Sequence, residues 1–71
     1  MSGYTLTSRD DDPTQTVRTI GRIAQMLIEL RDEYANRPRE DTLQQIERRL
    51  SELIELRTEL QHKMAKQAER S

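Results

Sequence analysis

The chain contains no cysteine, no tryptophan and no phenylalanine, and its 71 residues include only two glycines, two prolines and one histidine. Without cysteine there is neither a disulfide framework nor a thiolate metal site to staple a small fold, and the redox compartment leaves no mark on the sequence. Tyr4 and Tyr34 are the only aromatic residues besides His62, so single-strand nucleic-acid binding by base stacking has little to work with. Gly3 and Gly21 stand alone, which excludes a glycine-rich phosphate loop. No apolar run approaches the roughly 18 residues of a membrane span. The start MSGYTLTSRDDD lacks the basic and apolar regions of a secretory leader. Charge of one sign is missing too: 12 basic and 13 acidic residues leave a net charge of -1, which gives no bulk attraction to nucleic acid or anionic lipid. The expectation is a soluble cytoplasmic protein with no membrane partner, no cofactor and no small-molecule substrate.

What the chain does contain is apolar residues at helical spacing. From Ile46 to Met64, the side chains Ile46, Leu50, Leu53, Leu60 and Met64 recur at steps of three and four, the pattern of a long amphipathic helix that packs on another. Arg57 falls inside this stripe, where an apolar side chain is expected. An unpaired buried guanidinium is prohibitive, so Arg57 either snorkels to the rim or meets a carboxylate from elsewhere.

In chain order, residues 1–11 read as a flexible tail in which Tyr4 and Leu6 alternate with Thr5 and Thr7, a pattern able to clip onto a partner as a strand. Asp12 is a capping residue, Pro13 suits a first helical position, and Gln15 completes a capping-box spacing, so helix 1 is expected over about 12–36. Asn36 is placed to close it in the left-handed conformation, and Pro38 pushes Arg37 out of the helical region. A charged turn at about 37–40 leads into helix 2, which begins at Pro38 or under an Asp41 cap, runs to about 67 and leaves 68–71 as a C-terminal tail.

On helix 1, Ile20, Ile23, Leu27, Leu30 and Tyr34 form one stripe, and Val17, Gly21, Ala24, Ile28 and Ala35 a second beside it. Together they span roughly 220° of the helix, more than one neighbouring helix covers. Helix 2 is expected to need only one broad contact. The fold class is therefore all-α: an antiparallel two-helix hairpin whose first stripe closes on helix 2, paired with a second copy as a homodimeric four-helix bundle. At this length a monomer seldom buries enough surface to offset its chain entropy, and self-association is the remaining staple.

Glu59 and His62 form Glu-x-x-His, with Glu29 and Glu33 one helix earlier, a set that resembles the ligand pattern of ferritin-like di-iron bundles. On the wheel, however, Glu59 and His62 sit away from the apolar arc at about 180° and about 120°, so they read as a solvated face, with no metal site expected. There is no cysteine and His62 is the sole histidine, the hydroxyls of Thr42, Ser51 and Thr58 show no nucleophile–base–orienter set, and catalysis is not expected.

The functional expectation is a small, non-catalytic protein–protein interaction module. It would be a regulator or inhibitor of the phage or plasmid type that binds and occludes a larger host protein such as a transcription regulator. Its interaction surface would comprise Val17, Gly21, Ala24, Ile28 and Arg57, with Tyr4 and Leu6 of the tail. Two alternatives stand beside it. One is a nucleic-acid-binding helical bundle, because Arg18 and Arg22 share a helix face and Arg37, Arg39, Arg48 and Arg49 cluster around the turn. The other is a secretion-type chaperone or assembly adaptor, sturdy only in complex.

Overall fold

The computed structural model describes residues 12–70, so the tail and its Tyr4 and Leu6 lie outside the described residues. The described chain is all-helical: α1 spans Thr14–Asn36, α2 spans Glu40–Arg70, and the two pack against each other as a hairpin. The extents are 54 × 23 × 14 Å. A helix with its side chains is about 10–12 Å across, so the shortest extent is that of a single layer of helix.

The helix ends follow local chemistry with small shifts from expectation. α1 starts one step later than an Asp12 cap implies: the Pro13 carbonyl accepts the first helical bond from the Val17 N–H at 2.9 Å. The Asp12 carboxylate still serves the helix start, accepting from the Thr14 N–H at 3.0 Å and from the Thr14 hydroxyl at 2.7 Å. At the other end Asn36 remains helical rather than turning left-handed. Termination falls to Arg37, whose backbone is extended (φ −142°, ψ 91°) as the following proline requires, while its N–H still donates to the Glu33 carbonyl at 2.8 Å. α2 begins neither at Pro38 nor under Asp41. The Arg39 carbonyl accepts from the Leu43 N–H at 3.3 Å, leaving Glu40 and Asp41 in the first turn, where carboxylates favour the positive helix pole. The helix continues to Arg70, through most of the stretch expected as a C-terminal tail.

The seam between the helices is set by seven-residue steps. On α1, Thr16, Ile23 and Leu30 are buried; on α2, Thr42 is buried, with Arg49, Leu56 and Lys63 half-buried along the same line and Ile46, Leu53 and Leu60 beside them. Ile20, Leu27 and Tyr34 flank the α1 side as half-buried residues. Leu50 and Met64, expected in the hairpin core, are instead 47% and 56% exposed. The reason is geometric. The apolar arc of α2 runs from Leu56 through Leu53 and Leu50 to Ile54, about 160° at 100° per residue, and α1 covers only the half that begins at Leu56. The expectation that helix 2 needs a single contact is therefore overturned: both helices carry more apolar surface than the hairpin buries.

Thr16 lies level with Glu59 and Lys63 near the start of α1. From that level α2 runs on, so its last turn extends past the beginning of α1.

Candidate functional site

Two shallow grooves lie along one side of the hairpin. A shallow groove of about 230 Å³ is lined by Thr19, Ile23, Glu52, Glu55, Leu56 and Glu59, and a smaller one of about 170 Å³ by Met26, Glu29, Leu30, Glu33, Gln45 and Arg49. On the wheel these residues flank the seam on the same side of both helices. Arg49 is tied to Glu52 across one turn of α2 at 2.7 Å. This side of the molecule is thus rich in carboxylates.

At the open end of the hairpin a polar clasp crosses the seam. The Thr16 hydroxyl, almost fully buried, donates to a Glu59 carboxylate oxygen at 2.5 Å. The Lys63 ammonium donates to the same hydroxyl at 3.0 Å and lies 3.4 Å from the Glu59 carboxylate. The hydrogen bond from Thr16, followed by that from Lys63, holds the Glu59 carboxyl below its ordinary value of 4.5, with partial burial opposing. Glu59 and His62 both lie on an exposed face, and Glu59 in addition stitches α2 to α1. Among the described residues no group of three His, Asp or Glu side chains is arranged to hold a metal ion.

The opposite side of the seam is apolar, and both helices contribute to it. From α1 it carries Val17, 54% exposed, and Ile28, with half-buried Ala24 between them and the exposed backbone of Gly21 beside Ala24. From α2 it carries exposed Leu43, Leu50 and Met64, with Ile54 at the outer edge. These residues meet on one side because, with each helix viewed from its own N-terminus, an antiparallel pair brings together the flanks of the same hand. The α1 portion comprises residues singled out from the sequence. The α2 portion was legible only as core, because periodicity states that a residue is apolar but not which of two neighbours it faces.

Arg57 lies within this face, exposed, and none of the ion pairs or hydrogen bonds seen among the described residues involves it. Its level along the hairpin, between Thr16–Glu59 and Ile23–Leu56, is that of Ile20 and Gly21. A Cβ built on Gly21 meets nothing within 4 Å, so the hairpin itself gives no packing reason for glycine there.

Of the arginines considered for nucleic acid, Arg22 and Arg48 flank the carboxylate-rich side and Arg49 is engaged by Glu52, whereas Arg57, outside that set, lies on the apolar side. No helix among the described residues is long and apolar enough to cross a membrane. Comparison with protein-family models, with curated proteins and with solved structures finds no match to this chain.

Proposed function

We propose that this chain is a small, non-catalytic protein–protein interaction module that self-associates through its apolar side, forming a homodimeric four-helix bundle, and acts as a regulator or inhibitor that binds and occludes a larger protein. The observation that carries the reading is the shared face: Val17 and Ile28 of α1 and Leu43, Leu50 and Met64 of α2 all lie exposed on one side of a one-layer hairpin. Scattered surface leucines need no explanation, but a contiguous stripe along both helices is the mark of an interaction surface.

The size of the core points the same way. Ile23 and Leu30 are the only buried apolar side chains among the described residues, too few to offset the ordering of the backbone. Covering the apolar face supplies what the hairpin lacks. Once paired, the outer surface that remains for another protein is the carboxylate-rich side with its shallow grooves.

The test is multi-angle light scattering behind size exclusion over a hundredfold range of loading, with circular dichroism at each concentration. A dimer whose helicity falls on dilution supports the reading. A monomer that keeps full helicity at the lowest concentration refutes it. A gel shift with duplex DNA and RNA at low and moderate salt separates the nucleic-acid alternative, which requires retention that weakens steeply with salt.

A further inference from the structure

The apolar face contains two oddities at the same level: Arg57, long and charged, on α2, and Gly21, with no side chain, on α1. Glycine inside a helix costs about 1 kcal/mol relative to alanine. Here the hairpin offers no compensating contact, since a Cβ would point into open space. One level further on, bulky Leu53 of α2 lies across from small Ala24 of α1, and then Leu50 across from Ile28. At two of these three levels, Arg57 with Gly21 and Leu53 with Ala24, α2 carries the larger side chain, while Leu50 and Ile28 are equal in size.

A second copy can lie face to face on this hairpin in two symmetric ways, with the two-fold axis in the contact plane either across the helices or along them. An axis across the helices reverses the levels and stacks like on like. Centred on the patch, it sets Leu53 on Leu53 and Ala24 on Ala24, crowding one helix pair and leaving the other gapped. It also drives each Arg57 towards the partner's Leu50. An axis along the helices preserves the levels and lays α2 of each copy on α1 of the other. Large then meets small: Leu53 on the partner's Ala24, and Arg57 across the partner's Gly21, where the missing side chain leaves the arginine stem a passage to water for its guanidinium.

We propose that the apolar face is covered by a second copy related by a two-fold axis parallel to the helices, with Arg57 of each copy seated in the notch at the partner's Gly21. This rests on the self-association reading above and adds its geometry. The occupant is a second copy rather than an unrelated protein because the complementary features sit at matching levels of one chain and are satisfied together when that chain meets itself. Arg57 then sets the register and pairing of the bundle, a role polar residues at interior helical positions serve elsewhere.

The absence of cysteine makes the test clean. Two single-cysteine variants of the full chain, Ala24→Cys and Leu53→Cys, are mixed under reducing conditions so that subunits exchange, then oxidised mildly and run on a non-reducing gel. Single substitutions prevent a bridge within one hairpin, and a bridge between copies requires Cα atoms within about 7 Å. The expected result is a covalent dimer from the mixture and little from either variant alone. Cross-linking of each variant with itself overturns the proposal in favour of the axis across the helices, and a dimer by light scattering that cross-links in neither way overturns it as well. A monomer by light scattering overturns the self-association reading itself, and this geometry with it. Independently of cysteine, Gly21→Leu is expected to weaken dimerisation at least tenfold without loss of helicity per folded chain, and Arg57→Ala to restore much of that loss in the double variant. An unchanged dissociation constant for Gly21→Leu refutes the notch.

Discussion

Replacing Leu50 by alanine separates the hairpin from its proposed assembly, because the side chain contributes little to the first and should contribute much to the second. In the hairpin Leu50 is 47% exposed and sits beyond the seam held by Thr42, Arg49 and Leu56. Fully burying a leucine contributes about 1.5–3 kcal/mol, and roughly half of that remains to be gained on docking, or about 1 kcal/mol per copy. A symmetric dimer loses it twice, so Leu50→Ala should weaken dimerisation by about 2 kcal/mol, some 30-fold in dissociation constant. Alanine has a higher helix propensity than leucine, so the isolated hairpin should not lose helix content. Sedimentation equilibrium over a dilution series, with circular dichroism on the same samples, measures both quantities. Glu55→Ala is the control, since Glu55 is exposed on the opposite, carboxylate-rich side. An unchanged dissociation constant for Leu50→Ala, or an equal loss for Glu55→Ala, would refute the assignment of the apolar face.

The remaining expectations concern the hairpin itself. Ile23, 6% exposed at the centre of the seam, should cost about 2–5 kcal/mol when cut to alanine, enough to abolish cooperative melting in a fold with so small a core. Gly21→Ala meets no neighbour and should raise the stability of α1 by up to about 1 kcal/mol, read as higher helicity at concentrations below dimerisation. Glu59 is held below its ordinary 4.5 in the folded chain, so its clasp with Thr16 and Lys63 stabilises above about that pH and is lost as pH falls through the lowered value. Glu59→Gln, which keeps an acceptor for Thr16 but not the charge, should melt lower than the parent at neutral pH. The difference should vanish in acid, and a pH-independent difference would show that charge is not what the clasp supplies.

The sequence alone determined much of the local structure, because helix boundaries and amphipathic faces are set by neighbours a few residues apart. Pro38 forces Arg37 out of the helix, Asp12 serves the first turn of α1, and the apolar periodicities of both helices can be read without coordinates. The surplus on α1 was likewise legible, since an arc that wide exceeds what one neighbour covers. Only the tertiary structure decided how α2 is rotated against α1. Thr16, Arg49, Glu59 and Lys63 are residues whose spacing marks them as surface, yet Thr16 and Thr42 are buried on the seam and the long stems of Arg49 and Lys63 lie along it, with their charges met by Glu52 and Glu59. That rotation places Leu50 and Met64 outside the core and brings them to the same side as Val17 and Ile28. Periodicity fixes the angles of side chains within one helix. The angle of one helix against another depends on which contacts across the seam win, and it is this angle that turns two separate stripes into one face.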